Sequence, residues 1–142
     1  MDYLARREHS LFELNQKLTK KFPDVDEQLL ADVLDALKSE GLQSDERFAE
    51  SYVRYRKSRG FAYQHIRADL SSRRVCDSLI GKYLTLDDEQ WQLTADQLIA
   101  KKLCNKESPS YGSKLHRKLT RFLQSRGFAS AEIQKAMGKH LV

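Results

Sequence analysis

Apolar residues return every three or four positions along most of the chain, the spacing that lines one side of an α-helix, and no stretch alternates apolar with polar residues as a half-buried strand would. Only helices are expected. The first opens at Ser10-Leu-Phe-Glu13, a capping-box pattern, carries Leu11, Leu14 and Leu18 as its stripe, and stops before Pro23. In the second, Asp24 and Glu27 supply cap and first-turn acid, Leu29, Leu30, Val33, Leu34 and Leu37 form the stripe, and Gly41 ends the run. A long third helix over 44–59 places Phe48, Tyr52 and Tyr55 along the side to be buried, with Gly60 as its stop. Further helices are predicted over 62–73, 77–84, 87–104 (capped by Thr85 or Asp87), 113–126 and 130–141, with 105–112 as a proline- and glycine-containing loop.

Laid over one another, these helices repeat. Leu14, Leu18, Lys21 and Phe22 are echoed by Ile66, Leu70, Arg73 and Val75, and again by Leu119, Leu123, Arg126 and Phe128. Each set is followed by an apolar pair opening the next helix: Leu29 and Val33, Leu79 and Tyr83, Ile133 and Met137. Self-similarity at this period marks a tandem array, in which each three-helix unit is too small to bury its own stripe and stacks on the next. The expected fold is therefore all-α, an elongated, curved array with units at 1–43, 44–86 and 87–142. The first is shortened at the N-terminus, where only the stub 2–7 stands in place of a long leading helix.

Charge changes the picture more than composition does. At 142 residues, with 40% hydrophobic and 32% charged, the chain reads as an ordinary soluble globular protein able to bury a core, and no apolar run approaches the ~18 residues of a membrane span. Met1 runs straight into a polar segment without a secretory signal, so a cytoplasmic location is expected. Cys76 and Cys104 have neither zinc nor CxxC spacing and are expected as free, partly buried thiols. The net charge of +5 conceals blocks: nine acids against Lys38 and Arg47 over 24–50, seven cations against Asp69 over 54–74, and eight cations against Glu107 over 101–126. Matching helix dipoles explains acids at the start of 44–59 and cations at its end, but not a surplus of that size. An anionic partner is expected.

Chemistry is harder to find. His9, His65, His116 and His140 lack metal-site spacing, no phosphate-binding glycine loop occurs, and a Cys76–His65 pair has no orienting third group. Asp87 and Asp88 read as helix-start residues, and neither catalysis nor a cofactor is expected. Tyr55, Phe61 and Tyr63 lie among the basic residues and can stack on bases if exposed, although the register of Tyr52 and Tyr55 with Phe48 favours the core.

Three runs carry a resemblance: LARREHSLFEL (4–14), SDERFAESYVRYRKSRG (44–60) with the following HIRADL (65–70), and RFLQSRGF (121–128). In this order they resemble the RecX family, bacterial regulators of the RecA recombinase, over nearly the whole chain. The resemblance implies a curved array of three-helix repeats and a monomeric, non-enzymatic modulator of homologous recombination, DNA repair and the SOS response. Such a protein lodges in the groove of the RecA–DNA filament and reduces ATP hydrolysis, strand exchange and coprotease activity. DNA, single- or double-stranded, is then contacted weakly or through the filament, with no cofactor and no membrane. The expected contact cations are Arg54, Arg56, Lys57, Arg73, Arg74, Arg117, Lys118, Arg121 and Arg126. An autonomous helix-turn-helix-like DNA-binding protein, with 62–84 as the reader, is the alternative, and an interaction scaffold without nucleic acid the third reading.

Overall fold

The computed structural model describes residues 7–104 and 107–141, and among them the chain is helical throughout, with no strand. Among the described residues eight helices follow one another: α1 (Leu11–Lys21), α2 (Glu27–Ser39), α3 (Asp45–Ser58), α4 (Tyr63–Ser72), α5 (Asp77–Tyr83), α6 (Gln90–Lys102), α7 (Lys114–Arg126) and α8 (Ser130–Gly138). The stub 2–7, apart from Arg7, and positions 105 and 106 of the expected loop lie outside the described residues.

Most helix starts follow from local chemistry. At α1 the Glu13 N–H donates to Ser10 Oγ at 3.1 Å and the Ser10 N–H donates to Glu13 Oε1 at 3.2 Å, which satisfies two otherwise orphaned donors. Ser44 and Ser113 cap α3 and α7 through their hydroxyls alone, accepting from Arg47 N and His116 N. Two expected caps move. Asp26 rather than Asp24 caps α2, because a turn from Phe22 to Val25 delays the helix, and Asp88 rather than Thr85 or Asp87 accepts from Gln90 N at 2.9 Å before α6. The Thr85 carbonyl instead accepts from Trp91 Nε1 at 2.8 Å.

The chain groups into two compact units: residues up to Arg54 with Asp69–Tyr83, and Tyr55–Ala68 with the chain from Leu84 onward. In the first, α1 packs on α2 through Leu14, Leu18, Leu34 and Leu37, with Leu11 and Leu30 at the margin. In the second, α6 packs chiefly on α8, and α7 also packs on α8; Trp91, Ala95, Ile99, Leu119, Leu123, Phe128, Ile133 and Met137 are buried there. The start of α4 is held by backbone acceptors from another helix. Its Ala62 N–H donates to the Arg126 carbonyl at 2.7 Å and its Gln64 N–H to the Gly127 carbonyl at 3.2 Å, so the end of α7 supplies the acceptors.

The repeated pairs Leu14/Leu18, Ile66/Leu70 and Leu119/Leu123 are all buried, as are Ile133 and Met137, but the core assignments of Leu29, Val33 and Tyr55 fail. Leu29 and Val33 are exposed: the apolar stripe of α2 spans about 140° of its surface, and α1, its packing partner, covers only the flank of Leu30, Leu34 and Leu37. Tyr55 is exposed because the inward arc of α3 is set by Phe48, Ala49 and Val53, with Tyr52 half-buried inside it and Tyr55 beyond its edge. Cys76 and Cys104 are free but exposed rather than partly buried. The Ser78 hydroxyl and the Leu79 N–H hold the Cys76 thiol below its ordinary value.

A buried histidine ties the start of α1 to the start of α3. Lys17 Nζ lies 2.8 Å from His9 Nε2 and can only donate, so Nε2 is the bare nitrogen and Nδ1–H donates to the Arg7 carbonyl at 3.1 Å. The His9 carbonyl accepts from Gln43 Nε2 at 3.3 Å, and Asp45 Oδ1 accepts from both Gln43 Nε2 and Leu11 N. Burial, then the charges of Arg7 and Lys17, push the His9 pKa below its ordinary 6.5, against the Arg7 carbonyl and Glu13. The unfolded chain therefore binds a proton that the folded one refuses as pH falls from about 6.5, and stability declines over that window. Urea unfolding between pH 7.5 and about 5.5 is expected to show this decline in the natural chain and a flatter profile in His9→Gln; equal slopes would refute the assignment.

Candidate functional site

The cations of the first unit are mostly engaged. Arg73 Nε donates to Glu13 Oε2 at 3.3 Å, and its guanidinium lies 4.9 Å from the Tyr52 ring; the Tyr52 hydroxyl donates to Asp69 Oδ2 at 2.6 Å. Glu13 also accepts from Arg7 and from the Ser10 N–H; although burial opposes it, these donors and the Arg73 charge hold the carboxyl below the usual range. Arg54 pairs with Glu50 one turn back at 2.8 Å, and Lys82 pairs with Glu46, whose carboxylate also accepts from the Tyr83 hydroxyl at 2.6 Å. Arg74 ends α4 in a left-handed conformation, φ 56°, with its guanidinium 4.6 Å from the Phe12 ring.

The second unit differs. Lys57 is committed to Asp88 and lies 4.8 Å above the Trp91 ring. On α7, Lys114, Arg117, Lys118 and Arg121 are all exposed, and among the described residues none has an ion-pair partner. Lys114, Lys118 and Arg121 fall at steps of four and three, so they share one helix face with Arg117 at its margin.

A second basic feature is concave. The end of α3, the turn Gly60–Phe61, the outward face of α6 and Arg126 border a cavity of about 780 Å³. Arg56, Lys57, Arg59, Lys101 and Arg126 line it together with Tyr55, and no acid does. Two guanidinium groups lie over the Phe61 ring, Arg56 at 4.8 Å and Arg126 at 4.5 Å from its centre, while Arg126 Nη1 donates to the Arg59 carbonyl at 3.3 Å. Arg59 and Lys101 have no ion-pair partner among the described residues. No group of three metal-ligating side chains occurs among the described residues, and no described helix is long and apolar enough to cross a membrane.

Family models for the RecX second three-helix domain and the RecX third three-helix domain match residues 44–84 and 88–137. A regulatory protein RecX of Chromohalobacter salexigens is 40% identical over 134 residues, 94% of this chain and 85% of that protein. The chain belongs to the RecX family. Its Haemophilus influenzae relative is 30% identical over 141 residues, 99% of this chain and 91% of that protein. A crystal structure of RecX from Lactobacillus salivarius superposes with a TM-score of 0.76 at 25% identity, covering 97% of this chain and 89% of that one.

Within this RecX chain the expected contact residues fall into different classes. Arg117, Lys118 and Arg121 project freely, and Arg126 and Arg56 meet at the Phe61 turn, whereas Lys57 and Arg73 hold the fold together through Asp88 and Glu13. Arg54 is exposed yet paired, and Arg74 is exposed over Phe12. Arg59 and Lys101 were not among the expected residues. The signal for them was the polar face Thr94, Gln97 and Lys101 at helical spacing on α6, but nothing in the linear order places it opposite the end of α3.

Proposed function

We propose that this RecX-family protein is a non-enzymatic, monomeric, cytoplasmic regulator that occupies the groove of the RecA–DNA filament and lowers its ATPase, strand-exchange and coprotease activities. Membership of a family whose relatives bear the name regulatory protein supports the reading, and the unpaired cationic face of α7 is the observation that carries it. A helix face with four exposed cations attracts DNA phosphates and acidic protein surfaces alike, so it speeds encounter and makes binding salt-sensitive. Binding one filament conformation better than another is then sufficient to regulate it. The alternative, an autonomous helix-turn-helix reader, loses its best base-contacting side chain, because Lys82 is held by Glu46.

The test follows from where the cations are free. Arg117→Glu/Lys118→Glu/Arg121→Glu is expected to raise the concentration needed for half-inhibition of DNA-stimulated recombinase ATPase by about tenfold or more, with circular dichroism unchanged. Inhibition undiminished in this triple variant removes the α7 face from the mechanism. Reversing Arg73 would test folding instead, since it breaks the pair with half-buried Glu13.

A further inference from the structure

We propose that the outward face of α2 bearing Leu29 and Val33 docks a basic amphipathic helix of another protein, seated as α6 is seated on α8. This goes beyond the regulatory reading above, and the assay below contains neither recombinase nor DNA, so that either can fail alone.

The internal repeat supplies the template. Leu29 and Val33 correspond to Leu79 and Tyr83 on α5 and to Ile133 and Met137 on α8. Each of the two later pairs is met by the long helix that leads its repeat. Along α8, α6 packs where Ile133 and Met137 are buried, Gln92 Nε2 donates to the Glu132 carbonyl at 3.1 Å, and Lys139 pairs with Asp96. On α5, Leu79 and Tyr83 are half-buried, and the Tyr83 hydroxyl donates to Glu46 of α3 at 2.6 Å. The same place on α2 is open among the described residues: Leu29 is 55% and Val33 37% exposed, and Ala36, three positions on, continues the exposed strip. An apolar strip at steps of four and three is what a docking helix reads.

Charge fixes the chemistry of the occupant. Counted from the shared apolar pair, Asp32 stands where α8 has the buried Ala136, and Asp35 where α8 has Lys139. Both acids are exposed and neither has an ion-pair partner among the described residues, nor has Asp26 at the helix start. A helix lying here must therefore carry a cation where α6 carries Asp96. The α6 of a second copy fits badly, because its Asp96 would face Asp35, and like charges brought together oppose docking. Nucleic acid and anionic lipid are repelled by the same carboxylates. The observations favour a partner helix with an apolar stripe flanked by lysine or arginine.

The experiment is fluorescence anisotropy of two labelled peptides with the sequence of residues 87–103, one natural and one carrying Asp96→Lys, titrated with the full chain. The Asp96→Lys peptide is expected to bind about fivefold more tightly than the natural peptide at low salt, with the difference shrinking as salt rises. Asp32→Lys/Asp35→Lys in the protein is expected to reverse that preference, and Leu29→Asp/Val33→Asp to weaken binding of the Asp96→Lys peptide about tenfold or more. All four positions are exposed, so the variants should keep their melting temperatures, which the same samples report. Equal affinity for the two peptides overturns the proposal, as does undiminished binding by Leu29→Asp/Val33→Asp or no saturable binding of the Asp96→Lys peptide. So does sedimentation showing self-association of the natural chain that Leu29→Asp/Val33→Asp abolishes, which would assign the strip to a second copy.

Discussion

Gly127→Ala is expected to destabilise the protein by about 3–5 kcal/mol, the sum of a left-handed backbone penalty and an overpacked contact. Gly127 sits at φ 97° immediately after α7, and a Cβ there would lie 2.4 Å from the His65 backbone nitrogen and 2.7 Å from its Cβ. Backbone cannot yield as a flexible side chain can. Any relief must come from separating α7 from α4, which breaks the bonds from Ala62 N to the Arg126 carbonyl and from Gln64 N to the Gly127 carbonyl. Gly41→Ala isolates the first penalty, because φ is 75° there and nothing lies within 4 Å of the added carbon. That variant should lose only about 1 kcal/mol. Urea midpoints of the two, read side by side, decide the matter; equal losses would mean that the α4–α7 contact is looser than described.

Trp91→Ala carries a comparable expected loss, about 3–5 kcal/mol, for removing a large buried aromatic. The ring is 1% exposed, its Nε1 donates to the Thr85 carbonyl, and Lys57 Nζ sits 4.8 Å above it while paired with Asp88. Removing it leaves a cavity beside a half-buried ion pair and an acceptor without its donor, two costs that add to lost burial. Trp91→Phe keeps most of the apolar volume and should lose roughly half as much or less. Thermal unfolding followed by far-ultraviolet circular dichroism measures both; near-equal losses would place the cost in the indole hydrogen bond rather than in packing.

Helices were legible because their causes are local. The Ser10–Glu13 box, the stop at Gly41 and the leucine pairs of α1 and α7 all act within a turn or two, and each takes the form its sequence predicts. The family resemblance was legible for a related reason: its motifs are contiguous runs, and the family models match along 44–84 and 88–137. Reading went astray where a residue had two locally equivalent fates. Leu29 and Leu30 are both leucines on one stripe, and only the position of α1 decides that Leu30 turns inward and Leu29 faces water. Tyr55 fits the register of Phe48, yet burial stops at the arc that Ala49 and Val53 define.

The division is sharpest among the cations. Sequence by itself determined how many there are, which helices bear them and that they exceed what helix dipoles need, because charge and periodicity are properties of the chain read in order. Only the tertiary structure decided which are spent. Whether Arg73 meets Glu13, Lys57 meets Asp88, or Arg59 and Lys101 share a cavity without an acid depends on distances between segments some tens of residues apart in the chain. An ion pair is settled by a few ångströms of separation, and that separation is fixed by packed helices rather than by the residues that carry the charge.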